Sequence, residues 1–201
     1  MLGRTVAPAL AAGNATVLKP AEDACLSTLK VAQLAVEAGL PEGALNIVTG
    51  LGHEAGAALA GHPGIDFVTF TGSNEVGMLV QQAAARNAVK CVLELGGKSP
   101  QIVFADADVE RATPVIVKAI VQNTGQTCTA GSRLLVERRI YQEFLSRIAE
   151  VFRHLRVGTP EMDLDCGPVI NRSQHDRVTD MVEAAKRAGT SVLAEGQLAA
   201  G

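Results

Sequence analysis

The feature that most constrains the fold is a regular alternation of short β-rich runs with longer segments of helical periodicity along the 201 residues. Seven runs are typical of strands, and segments of helical length separate most of them. They cover residues 15–18, 45–48, 67–70, 91–95, 101–104, 134–137 and 191–193. Such an alternation predicts βαβ units, and therefore an α/β fold built on a mostly parallel sheet.

The intervening segments carry ordinary helix signals. The segment 27–38 stops at Gly39, a residue type that commonly follows a helix C-terminus, and Ser73 is placed to cap the N-terminus of another helix. The segment 141–155 has the clearest helical period, with apolar residues on one face, and a last helix is predicted over 174–188.

A boundary is predicted at Gly96 and Gly97, because two adjacent glycines after a β-rich run allow the chain to turn out of one sheet. This divides the chain into residues 1–96 and 97–201. The final residues, 194–201, match no recognisable element.

Composition excludes several classes of protein. With 18 basic and 21 acidic residues the net charge is −3, and only five Phe, one Tyr and no Trp are present. Nucleic-acid binding needs a basic surface and stacking aromatics, so we expect no nucleic-acid partner. No run approaches the roughly 18 apolar residues of a membrane span, so we expect no membrane partner. A mean hydropathy of +0.19 favours extra buried surface, either in an oligomer or against further chain.

The four cysteines form no CxxC pair, and no Cys/His cluster has zinc spacing. This predicts a reduced, cytoplasmic protein without a metal site. Cys128 lies among small polar residues and glycines over 123–132, where backbone N–H groups could stabilise a thiolate. The alternative is an inert, buried cysteine, which is the interpretation given to Cys25, Cys91 and Cys166.

Three strand-to-helix turns could bind an anion or a sugar. Lys19 and Glu22 follow the first strand, Gly52 lies in a glycine-rich turn, and Gly72 and Ser73 precede a helix. Each has a plain alternative: a solvated ion pair, an ordinary turn and a simple N-cap, respectively.

Glu94 places a carboxylate inside an apolar run over 92–97. A buried carboxylate with a raised pKa can act as a general base, whereas strand alternation could equally turn Glu94 into solvent.

Two segments make a specific match. Residues 94–100 (ELGGKSP) and 125–128 (GQTC) resemble the glutamate and cysteine signatures of the aldehyde dehydrogenase superfamily. Five supporting segments follow in family order. They are APALAAGN at 7–14, VLKPAE at 17–22, EAGLP at 37–41, FTGS at 70–73 and VFADAD at 103–108. The chain is therefore identified as an internal fragment of a member of this superfamily.

The resemblance implies a Rossmann-type parallel sheet with helices on both faces, followed by part of a second α/β domain. Residues 1–96 would be a partial NAD(P)-binding domain. Residues 97–201 would be a partial catalytic domain, truncated at its C-terminus. The family's upstream oxyanion asparagine, its nicotinamide-ribose segment and its oligomerisation strands would lie outside the chain.

The resemblance also assigns roles. Cys128 is the nucleophile that forms a thiohemiacetal and then a thioester with a small-molecule aldehyde, and Glu94 is the general base for its hydrolysis. The other implied residues contact the cofactor: Lys19 and Glu22 the adenosine ribose, Gly72 and Ser73 the pyrophosphate, Gly52 and Val76 the adenine region, and Leu95 the nicotinamide. Glu22 favours NAD, with NADP as the alternative.

These roles predict an NAD-dependent aldehyde dehydrogenase that forms a carboxylic acid and is a homo-oligomer at full length. We expect the isolated chain to be weakly active or inactive. Two alternatives remain open, a CoA-acylating semialdehyde dehydrogenase and a non-catalytic nucleotide-binding remnant. Glu94 argues against the first, since acylating relatives typically lack the glutamate.

Overall fold

Parallel strand pairs and the helices that connect them make up both halves of the chain. The structure, a computed structural model, describes residues 2–199. The chain divides into two compact units, Met1–Leu95 and Gly96–Gly201. That these units serve cofactor binding and catalysis stays a prediction.

The first unit contains two parallel strand pairs, β1 with β2 and β3 with β4. Its elements are α1 (Leu2–Ala11), β1 (Thr16–Leu18), α2 (Cys25–Glu37), β2 (Leu45–Ile47), α3 (Ala57–Ala60), β3 (Phe67–Gly72), α4 (Asn74–Arg86) and β4 (Lys90–Leu95). The chain leaves α2 through Gly39, whose φ of +94° is strained for any residue with a side chain. Val6, Ala60 and Ala84 are buried.

The second unit also contains two parallel pairs, β5 with β6 and β7 with β8. Its elements are β5 (Pro100–Val103), α5 (Val109–Val121), β6 (Arg133–Val136), α6 (Tyr141–His154), β7 (Arg156–Val157), α7 (Arg172–Arg187) and β8 (Gln197–Leu198). Its core consists of Val103, Ile116, Val117, Phe144 and Ile148. Phe144 is fully buried, so the predicted apolar face of α6 is the face that packs against α5 and β5.

The prediction of a strand over 191–193 is wrong, and so is that of no element after 194. Val192 and Leu193 are half exposed and lie in irregular backbone. The strand forms instead at Gln197–Leu198, where the N–H of Gln197 donates to the Leu155 carbonyl at 2.7 Å. Strand formation here follows the available backbone partner and not the apolar run.

All four strand pairs are parallel, as the alternation of strands and helices predicts. Within residues 2–199 the named strands pair two by two and form no larger sheet. No helix in this part of the chain has the length and apolar character to cross a membrane.

Candidate functional site

Lys19, Glu22 and Gly52 form a cluster where the parallel strands β1 and β2 end. The Lys19 ammonium, on a largely buried side chain, donates to the Gly50 carbonyl at 2.9 Å and lies 3.4 Å from Glu22 Oε2. The Gly52 N–H donates to Glu22 Oε1 at 2.6 Å. The carboxyl ends of parallel strands are where α/β sheets bind ligands, so these residues occupy the expected edge.

Within this cluster, the Glu22 carboxyl favours its negatively charged form. Bonds from backbone N–H groups, first that of Glu22 itself and then that of Gly52, lower the pKa of the Glu22 carboxyl, and the Lys19 charge adds to this effect. A donor and an acceptor lie side by side here, which is the pairing that a sugar diol requires. A side chain at Gly56 would contact Lys19, since its Cβ would lie 3.4 Å from Lys19 Cδ.

A second cluster surrounds the turn from β3 into α4. Gly72 pairs in register with Leu95, and Ser73 Oγ accepts the Val76 N–H at 3.3 Å as the N-cap of α4. The Leu95 side chain packs over Gly77, where a Cβ would lie 2.6 Å from Leu95 Cδ2. The structure therefore shows the capping role of Ser73. The remaining N–H groups at this helix start can still attract an anion.

Glu94 lies next to this turn, paired in register with Thr71. Alternation of exposed and half-buried residues along β4 stops at Glu94, which is half-buried like its neighbours. Its carboxylate accepts a bond from Arg4 Nη2 of α1 at 3.3 Å and keeps 38% of its side-chain surface exposed. Water therefore reaches this carboxylate. The partner Arg4 carries no motif signal, and sequence reasoning assigned it no role.

Cys128 lies in the loop between α5 and β6, in the second unit. It is a free, half-buried cysteine. Gln101 of β5 donates to the Gly131 carbonyl at 2.9 Å and holds the C-terminal side of this loop. The side preceding Cys128 contains Asn123 and Thr124, both with left-handed backbone.

Two of the other three cysteines, Cys91 and Cys166, are held in the thiol form. Burial raises the pKa of the Cys91 and Cys166 thiols, and the neighbouring Asp165 adds to the shift at Cys166. Both are therefore protonated and weakly nucleophilic at neutral pH. Across residues 2–199, no three His, Cys, Asp or Glu side chains are grouped so that they could hold a metal ion.

The structure thus brings the predicted site residues of the first unit together in two clusters. Lys19, Glu22 and Gly52 form one cluster, and the β3–α4 turn with β4 forms the other, which contains Gly72, Ser73, Val76, Glu94 and Leu95. Sequence reasoning assigned no role to Arg4, Thr124 or Gln126. Each bonds to a residue far along the chain, namely Glu94, Gly167 and Ile170 respectively, and such contacts leave no local pattern.

Comparison with known proteins matches the chain over residues 1–201 to the model of the aldehyde dehydrogenase family. Aldehyde dehydrogenase 1A1 of Equus caballus is 48% identical over 193 residues, which are 95% of this chain and 38% of that protein. Retinal dehydrogenase 2 of Homo sapiens is 45% identical, covering 98% of this chain and 38% of its own length.

Solved structures agree. A crystal structure of an aldehyde dehydrogenase described as putative, from Burkholderia cenocepacia, has a TM-score of 0.98 and 63% identity. The match covers 99% of this chain and 42% of that one. Betaine aldehyde dehydrogenase of Staphylococcus aureus, solved in complex with NAD⁺, has a TM-score of 0.89 and 36% identity over 94% of this chain and 37% of that one. The predicted α/β fold is confirmed, and the chain spans about two-fifths of these relatives.

Proposed function

Because the chain belongs to the aldehyde dehydrogenase family, we propose that it supplies the NAD-binding unit and the catalytic nucleophile of an enzyme that oxidises an aldehyde to a carboxylic acid. The family match over the whole chain carries this proposal. The Lys19–Glu22–Gly52 cluster at the sheet edge supports its cofactor half.

The residues present fit NAD. Lys19 donates and Glu22 accepts, so together they suit the two hydroxyls of the adenosine ribose. The start of α4, with Gly72 and Ser73, suits the pyrophosphate. We assign Gly52 and Val76 to the adenine region and the Leu95 backbone to the nicotinamide. The Glu22 charge repels a 2′-phosphate, which favours NAD over NADP.

The chemistry divides between two side chains. Cys128 Sγ, as the thiolate, attacks the aldehyde carbon, and its own backbone N–H donates to the oxyanion that forms. A bound NAD would supply the hydride acceptor, so that loss of hydride from that carbon would leave a thioester on Cys128. Glu94 takes a proton from water as the water attacks the thioester, and the bond to Sγ breaks to release the carboxylic acid and the Cys128 thiolate.

We expect the chain by itself to turn over slowly. It spans 37% to 42% of the relatives named above, and we place the family's second oxyanion donor and its nicotinamide-ribose segment outside residues 1–201. Loss of one oxyanion donor alone costs about 10²–10³ in kcat. We further propose a cytoplasmic setting and a homo-oligomeric full-length protein.

Calorimetric titration with NAD and NADP tests the cofactor half. We expect NAD to bind more tightly than NADP, and Glu22→Gln to weaken NAD binding and to narrow the difference between the two. Glu42→Gln, which removes an exposed carboxylate elsewhere in the first unit, is the matched control. Absence of NAD binding by the wild-type chain would contradict the proposal that the first unit binds NAD.

Trapping of the thioester tests the catalytic half. With NAD and an aldehyde, Glu94→Gln should release about one equivalent of NADH and then stall, with an acyl adduct on Cys128 visible by mass spectrometry. Cys128→Ser should release none, and Glu75→Gln should behave as the wild type.

If added CoA, but not water, discharged the wild-type thioester, the acylating alternative would replace hydrolysis. If Cys128 formed no adduct in any variant, the non-catalytic remnant would replace both.

A further inference from the structure

The backbone immediately before Cys128 is strained. Asn123, Thr124 and Gly125 follow one another with φ values of +50°, +55° and +72°. This left-handed region disfavours residues with a Cβ, and a β-branched residue such as Thr124 most of all. Such strain persists only where the surroundings hold it in place.

Bonds within the turn close it on itself. The Gln126 N–H donates to the Asn123 carbonyl at 3.0 Å, and Asn123 Nδ2 donates to the Gln126 carbonyl at 3.1 Å. A side chain at Gly125 would add strain, because its φ is positive and a Cβ there would lie 3.2 Å from the Ile120 carbonyl oxygen.

Two further bonds tie the turn to a distant segment, residues 166–170. The Thr124 hydroxyl donates to the Gly167 carbonyl at 3.1 Å. The Ile170 N–H donates to Gln126 Oε1 at 3.0 Å. These partners lie 43 and 44 residues further along the chain, so the bonds bridge two separate parts of the second unit.

Cys128 thus lies between two anchors. Gln101 holds the Gly131 carbonyl after it, and Thr124 and Gln126 hold the strained turn before it. These bonds on both sides restrict the backbone that carries the Cys128 N–H and side chain. Catalysis by a nucleophile with its own N–H in the oxyanion site requires these two groups to keep one orientation.

We propose that Thr124 and Gln126 are positioning residues, which hold the strained turn against residues 166–170 and thereby orient Cys128 for attack. This inference rests on the proposed role of Cys128 as the nucleophile. Neither side chain is expected to touch the substrate.

Alkylation by iodoacetamide, followed separately at each cysteine by peptide mass spectrometry, tests the inference on the chain as it is. In the wild type we expect Cys128 to react about 10-fold faster than Cys25. Thr124→Val and Gln126→Met should each lower that ratio roughly 3- to 10-fold. Thr124→Ser keeps the hydroxyl and should restore the wild-type ratio of the two alkylation rates. Gln122→Met is the matched control for Gln126→Met.

The sign of the change separates positioning from simple destabilisation. Local unfolding would expose the half-buried Cys128 and speed its alkylation, whereas loss of orientation slows it. Suppose that wild-type Cys128 reacts fast, but that the ratio of Cys128 to Cys25 alkylation rises or stays unchanged in both Thr124→Val and Gln126→Met. That result would overturn the positioning role and leave the nucleophile assignment in place. A wild-type Cys128 no faster than Cys25 would overturn the nucleophile assignment and this inference with it.

Discussion

At the scale of single residues, Glu22 shows how backbone N–H groups set the charge of a carboxylate. Its pKa lies below the ordinary value of 4.5, chiefly because its own N–H and that of Gly52 donate to it. A depressed folded pKa gives stability that is complete above the unfolded value and is lost as the pH falls through the folded value. We expect Glu22→Gln to lower the urea midpoint at neutral pH, and this effect to shrink as the pH falls below about 4.5.

Glu42→Gln provides the reference for this measurement, because Glu42 is exposed and lies in the same unit. Its urea midpoint should follow that of the wild type across the same pH range. An effect of Glu22→Gln that grew toward acid would show that the native N–H bonds do not favour the charged carboxylate.

The ion pair between Arg4 and Glu94 is expected to contribute little to stability. Its two side chains are 63% and 38% exposed, so solvent screens the attraction between them. In a double-mutant cycle with Arg4→Ala and Glu94→Ala, we expect a coupling in the unfolding free energy below about 1 kcal/mol. A coupling well above that value would mean that the pair is held more rigidly than its exposure indicates.

At the scale of elements, the sequence predicts strands whose packing follows from their own apolar residues. It misses strands whose position depends on hydrogen-bond partners far along the chain. The strand over 91–95 is correct to within one residue, because its apolar run also supplies its packing. The strand over 191–193 fails because the segment that pairs with β7 is Gln197–Leu198, and not the apolar run that contains Val192 and Leu193.

The candidate site follows the same division. Cys128 and Glu94 lie in short motifs and could be singled out from sequence. The long-range bonds of Thr124 and Gln126 could not be predicted, although Gln126 lies in the same GQTC motif as Cys128. The left-handed turn at Asn123 and Thr124 is bonded to the carbonyl of Gly167 and, through Gln126, to the N–H of Ile170. A one-dimensional pattern does not contain that contact.

Ser73 offers a prediction at the element scale, since it caps α4 and is also assigned to the pyrophosphate. Ser73→Ala removes the bond to the Val76 N–H and should lower the unfolding free energy by about 1 kcal/mol. Ser73→Asp keeps a capping oxygen but adds a negative charge. We therefore expect near-wild-type stability by urea denaturation and greatly weakened NAD binding by calorimetry. Equal NAD affinity in Ser73→Asp and the wild type would leave Ser73 as a cap alone.

At the scale of the whole molecule, several large apolar side chains lie open to solvent. They include Ile102, Val115 and Leu198, at 61%, 66% and 83% exposure. Apolar surface of this extent favours association.

We therefore expect the purified chain to self-associate, with a sedimentation coefficient that rises with protein concentration. Ile102→Lys places a charge on the open face of β5, next to the groove that Ile102 and Val115 line, and should weaken the association. Thr69→Lys adds the same charge at an exposed polar position of β3 and should leave the association unchanged. Equal weakening by both substitutions would point to net charge as the cause. If only Ile102→Lys weakened the self-association, the associating surface would lie on β5.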